Sequence, residues 1–96
     1  MTPRKTRDLE RGLLGKGFAR DNTHHEMYWL HVAGKRTSVR TRISHGAREY
    51  GENLLGQMAR QVGLRRGEFD DLIECPMTED EYVGLLVERG RIRTAD

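Results

Sequence analysis

The 96-residue chain has a single cysteine, Cys75. It can form neither an internal disulfide nor a paired-cysteine metal knuckle, which excludes disulfide-stapled secreted scaffolds and zinc fingers. No apolar run approaches the roughly 20 residues of a membrane helix, so no membrane partner is expected. The opening Met1 to Gly12 is basic and polar with no apolar stretch behind it, unlike a secretory leader. Internal repeats and low-complexity segments are missing as well. Lysine is scarce, with 3 against 14 arginines. What these absences leave is a small cytoplasmic protein, expected to be one domain over residues 1–96. Leu, Ile, Val and Phe total 20 residues, just above the level below which chains stay disordered. A chain this short buries roughly two thirds of its unfolded surface, so modest stability is expected.

Charge is present but segregated. Residues 1–66 contain 14 Lys and Arg against 6 Asp and Glu, while residues 67–96 contain 3 against 9. The balances of +8 and −6 give the overall +2. The first two thirds therefore carry a field suited to phosphates, and arginine's planar fork suits phosphate recognition. Two plainer readings stand beside this one: a GC-rich coding sequence as the cause of the arginine excess, and the acidic tail as an internal charge complement packed against the basic part.

Periodicity gives the order α-β-β-β-α followed by two helices, an α+β class with a three-stranded antiparallel sheet. The first helix spans about Arg7 to Lys16, with Thr6 as its cap, Leu9, Leu13 and Leu14 on one face, and Gly15 and Gly17 as its stop. A short strand, Phe18 to Asp21, leads into a turn at Asn22-Thr23. His25 to Val32 and Arg36 to Ile43 alternate as strands around an Ala33-Gly34-Lys35 hairpin turn. The second helix spans about Glu49 to Val62, with Leu54, Leu55, Met58, Ala59 and Val62 as its apolar set and Gly63 as its end. Glu68 to Cys75 is a third helix. Thr78-Glu79-Asp80-Glu81 is a capping box that opens a fourth, which Gly90 closes.

Two helices cover one face of a three-stranded sheet and leave the other open. Tyr28, Leu30, Val32, Val39 and Ile43 fit the covered face. His25, Met27, Trp29, His31, Arg40 and Arg42 fit the open one. A Trp and a Met on an open face need an explanation. Either the C-terminal helices fold back over them, or the face binds a partner.

Four histidines, His24, His25, His31 and His45, lie in the basic part. His25 and His31 share a strand face but stand about 20 Å apart, which argues against a shared metal, and neither metal nor cofactor is expected. Acid/base work on an RNA phosphodiester needs less. RNA carries its own nucleophile, so a base for the 2′-hydroxyl proton and cations for the phosphate suffice, with an acid to help the leaving 5′-oxygen.

Gly17-Phe18, Asn22-Thr23-His24-His25 and Gly34-Lys35-Arg36-Thr37-Ser38-Val39 resemble, in order and spacing, the HicA family of toxin ribonucleases. Ser44-His45-Gly46, the helix from Glu49 and Met58 to Leu64 continue the likeness, which covers residues 6–64. The resemblance implies a double-stranded-RNA-binding-domain-like fold, metal-independent cleavage of mRNA as the toxin of a type II toxin-antitoxin system, and a HicB-like antitoxin partner. The family's Gly-Ser-x-His turn, whose final His is catalytic, maps onto residues 22–25 and implies His25 as general base. Asn22 and Thr23 replace its Gly and Ser, Glu26 follows, and the acidic helical extension 65–96 has no counterpart in a minimal toxin. Thr23, His24, Arg40, Arg42 and His45 are the candidate RNA contacts. Arg40 or Arg42 is expected to stabilise the phosphate, while Lys5, Arg7 and Arg60 are generic phosphate contacts. Two alternatives stand beside the ribonuclease: a non-catalytic nucleic-acid-binding module and a protein-interaction module. A further possibility is that the tail covers the basic face and restrains activity.

Overall fold

The computed structural model describes residues 4–23, 26–44, 46–74 and 76–92. Among them the chain runs β1 (Arg4–Lys5), α1 (Thr6–Leu14), β2 (Phe18–Arg20), β3 (Met27–Val32), β4 (Lys35–Arg42), β5 (Glu49–Tyr50), α2 (Glu52–Gln61), α3 (Arg66–Glu74) and α4 (Glu79–Glu88). The architecture is α+β, with a three-stranded antiparallel sheet in the order β2-β3-β4. Beside it lies a small antiparallel pair of β1 and β5. No helix among the described residues is long and apolar enough to cross a membrane.

Strand alternation sorts the sheet as its period of two requires. Tyr28, Leu30, Val39, Thr41 and Ile43 are buried beneath the helices, while Arg36, Arg40 and Arg42 are exposed. The β3–β4 hairpin turns through Ala33 and Gly34, both at positive φ (54° and 78°), with Val32 opposite Lys35. Two consecutive left-handed residues match the right-handed twist of the strands they join. The register then shifts, with His31 opposite Arg36 but Trp29 opposite Arg40, so Leu30 faces three residues of β4. Thr37 holds this bulge. Its hydroxyl donates to the Leu30 carbonyl (2.9 Å) and accepts from the Val39 N–H (3.1 Å).

The pair of β1 and β5 changes two expected boundaries. Thr6 is the first residue of α1 rather than its cap. Its hydroxyl donates to the Ala47 carbonyl (2.6 Å) and its N–H to that of Arg48 (2.9 Å). Glu49 and Tyr50 pair with Lys5 and Arg4, so α2 starts at Glu52 and not at Glu49. Two expected core leucines also lie outside. Leu14 is 45% exposed and Leu54 47%, because each adjoins on its helix a leucine that the core has already taken. Neighbours on a helix are about 100° apart, and in these two pairs Leu13 and Leu55 face the core while Leu14 and Leu54 turn away from it.

The C-terminal helices complete the core. Phe69, Leu72, Ile73, Tyr82, Leu86 and Ile92 belong to one continuous buried cluster with Leu9, Leu13, Phe18, Leu30, Leu55 and Val62. Gly12 of α1 lies against Ile73 of α3. Tyr82 of α4 stacks on Phe18 (6.0 Å between ring centres), and its hydroxyl donates to the Val62 carbonyl (2.7 Å). Burial pushes that phenol's pKa well up, so it remains a donor. The capping box at Thr78 and Glu81 forms as expected. Among the described residues, α3 and α4 thus pack on the covered side of the sheet and do not fold back over the open face.

The tail's acids partly serve as the internal complement. Arg4 donates to Asp70 (2.8 and 3.0 Å) and to Glu74, and Arg66 bridges Asp70 (2.6 Å) and Glu52 (2.8 Å). Burial alone would raise the Asp70 pKa, but the bonds from Arg66 and Arg4 outweigh it and hold it below the ordinary value.

Candidate nucleic-acid interface

The loop between β2 and β3 has both feet fixed. The Asp21 N–H donates to the Met27 carbonyl (2.8 Å), and the Ile43 N–H donates to that of Glu26 (2.8 Å). Inside it, Asp21 accepts the Thr23 N–H (2.7 Å), an Asx turn that bends the chain where Asn22-Thr23 was expected to turn. His24 and His25, and likewise His45, lie outside the described residues.

A cleft of about 650 Å³ opens next to this end of the sheet. Its lining includes Lys5, Arg7, Glu10, Arg20, Arg48 and Glu49. The start of α1, the end of β2 and the segment leading into β5 supply these side chains. Lys5, Arg7 and Arg48 make no side-chain hydrogen bond or ion pair with any described residue, so their charge faces the solvent of the cleft. Arg20 is anchored instead. It donates to the Glu10 carboxylate and to the Tyr28 hydroxyl (3.3 Å), and Tyr28 itself donates to Glu10. Burial, then the bond to Glu10, raises the Tyr28 pKa, which keeps the phenol protonated as the buried post of this cluster.

The open face of the sheet forms the second part. Trp29 is half-buried there, and its indole N–H donates to Asp21 (3.1 Å). The Arg36 and Arg40 guanidinium carbons lie 4.3 and 5.1 Å from its ring centre. Met27 sits opposite Arg42, and Arg42 is bound by Glu26 (2.6 and 3.0 Å).

The expected contacts therefore divide. Arg40 and Arg42 share the open face, one over Trp29 and the other neutralised by Glu26. Thr23 is exposed in the loop. Arg60 is exposed on α2 and does not line the cleft. Arg20, Arg48 and Glu10 were not singled out from the sequence. The one available signal was that Arg20 shares the core-facing phase with Phe18 and needs a partner there. Among the described residues no three His, Cys, Asp or Glu side chains group so as to hold a metal ion. The chain matches no protein-family model, no curated protein and no solved structure.

Proposed function

We propose that the chain is a metal-independent endoribonuclease of the HicA toxin kind, built on a double-stranded-RNA-binding-domain-like core and restrained by a HicB-like antitoxin. The observation that supports it best is the cationic cleft. Arg20 adjoins in sequence the loop that carries His24 and His25, and Ala47 and Arg48 follow His45 closely. An RNA phosphate drawn into this cleft meets Lys5, Arg7 and Arg48, cations with no acidic partner among the described residues.

In the proposed reaction neutral His25 takes the 2′-hydroxyl proton. The 2′-oxygen then bonds to phosphorus, and the bond from phosphorus to the 5′-oxygen breaks. Cleft cations stabilise the extra negative charge of the pentacoordinate phosphorus. They are freer for this than Arg42, which Glu26 already neutralises. A 2′,3′-cyclic phosphate and a 5′-hydroxyl end result, as the leaving oxygen takes a proton from water and protonated His25 returns its own to solvent.

The test is cleavage of end-labelled RNA by the purified chain in excess EDTA. Cleavage by the wild type, its loss in His25→Ala with fold and RNA affinity retained, and at least a ten-fold slower rate in Arg48→Gln are expected. The Arg42–Glu26 pair favours a second reading, a nucleic-acid-binding module without chemistry. Salt-sensitive RNA binding with no cleavage would select it.

A further inference from the structure

We infer that the open sheet face around Trp29 is a stacking platform that makes single-stranded RNA, rather than duplex, the ligand of this chain; the inference rests on the part of the proposed function in which the chain binds RNA. Trp29 is the chain's sole tryptophan and lies in the middle strand of the sheet. Its setting is built rather than incidental. The indole N–H is tied to one carboxylate oxygen of Asp21, whose other oxygen holds the Thr23 N–H. The ring is therefore linked to the loop that opens the proposed catalytic segment.

The bulge of β4 adds the cations. In an unbroken register Ser38 would stand opposite His31, and Arg36 would lie two residues further from Trp29. The Thr37 bonds that hold the bulge bring Arg36 opposite His31, so two guanidinium groups reach the same indole ring. The acids facing this group are Asp21, 3.9 Å from Arg36, and Glu26, which takes Arg42. Arg40 has no acidic partner among the described residues, and its NH1 reaches only the Ser38 carbonyl (3.4 Å).

An aromatic ring with two arginines over it is suited to unpaired bases. A base stacks on a guanidinium plane laid over the indole, or displaces it to stack on the ring itself while the arginine takes a flanking phosphate. Paired bases keep their faces inside the duplex and cannot do so. The C-terminal helices leave this face free, because they pack on the other side of the sheet.

The experiment uses the whole chain and a 2′-O-methyl oligonucleotide of about ten nucleotides. That probe binds but has no 2′-hydroxyl to attack, so binding is read apart from cleavage. Saturable quenching of Trp29 fluorescence by the single strand is expected, with little by the same sequence as a duplex. By anisotropy of a labelled probe, Trp29→Leu is expected to weaken binding about ten-fold, with Trp29→Phe close to wild type. Arg40→Gln, an exposed site that cannot upset the core, is expected to weaken binding and to lower the salt slope by about one. Binding without quenching and unchanged by Trp29→Leu would overturn the platform, as would equal quenching by duplex or no binding by either form. Cleavage of unmodified RNA is scored separately. Cleavage without quenching removes the platform alone, whereas quenching without cleavage removes the catalytic reading and leaves the platform.

Discussion

Lys16 offers a sharp test of whether residues 65–96 are built into the fold. It is only 8% exposed, and its ammonium donates to the carbonyls of Leu72 (2.7 Å) and Met77 (2.6 Å). Leu72 lies in the last turn of α3, where carbonyls lack partners within the helix. That turn has no basic residue of its own, so Lys16 supplies the cation that the negative end of the helix favours. Lys16→Met keeps the unbranched stem and removes the charge and both donors. Each bond from a charged donor contributes about 1.5–3 kcal/mol. Relief from desolvating the ammonium offsets part of the sum, which leaves an expected net loss of about 2–3 kcal/mol. In a domain of this size that lowers the melting temperature by about 10–20 °C. Urea unfolding followed by circular dichroism reads it as a lower midpoint with an unchanged slope. A change below about 0.5 kcal/mol would refute the reasoning, since it would mean that water replaces the ammonium at no cost.

Three further outcomes follow from the same packing. Deleting residues 67–96 removes Phe69, Leu72, Ile73, Tyr82, Leu86 and Ile92 from the core, so the truncated chain is expected to lose its dispersed amide proton spectrum rather than gain nucleic-acid affinity. A folded truncation with tighter RNA binding would revive the idea of a restraining tail. Gly63 has φ +80°, and a Cβ there would come within 2.6 Å of Leu86, so Gly63→Ala is expected to cost about 2 kcal/mol or more by urea titration. Arg89, then the Arg65 N–H, hold the Glu68 pKa down to about 2 from its ordinary 4.5. A depressed carboxylate stabilises the fold fully above about pH 4.5, and this contribution is lost as pH falls towards 2. Glu68→Gln should therefore flatten the acid limb of stability against pH in that window, and an unchanged limb would count against the Glu68–Arg89 pair.

Much of the fold was legible because it rests on local rules. Alternation in β3 and β4 fixed which side chains are covered, and the Thr78–Glu81 box marked the start of α4 from four residues. The pair β1 and β5 was not legible. Two-residue strands have no period, and what joins them is contact between residues more than forty positions apart. The bulge was hidden for a similar reason, since Thr37 reads as an ordinary alternating strand residue until its hydroxyl is seen to take two backbone partners. Segregated charge pointed to a basic region but not to its location. The cleft draws Lys5, Arg20 and Arg48 from three segments that only the tertiary fold brings together. Glu26 stood out in the sequence as a departure, and the structure gives it a definite effect, the neutralisation of Arg42.

The most direct test of the proposed activity is the chemical nature of the ends left on RNA by the purified chain in excess EDTA, with His25→Ala beside it. Fragments ending in a 2′,3′-cyclic phosphate and beginning with a 5′-hydroxyl, made by the wild type and not by a folded His25→Ala, are the expected result. Intact RNA after prolonged incubation with a folded wild type that binds it would contradict the ribonuclease and leave a binding module in its place.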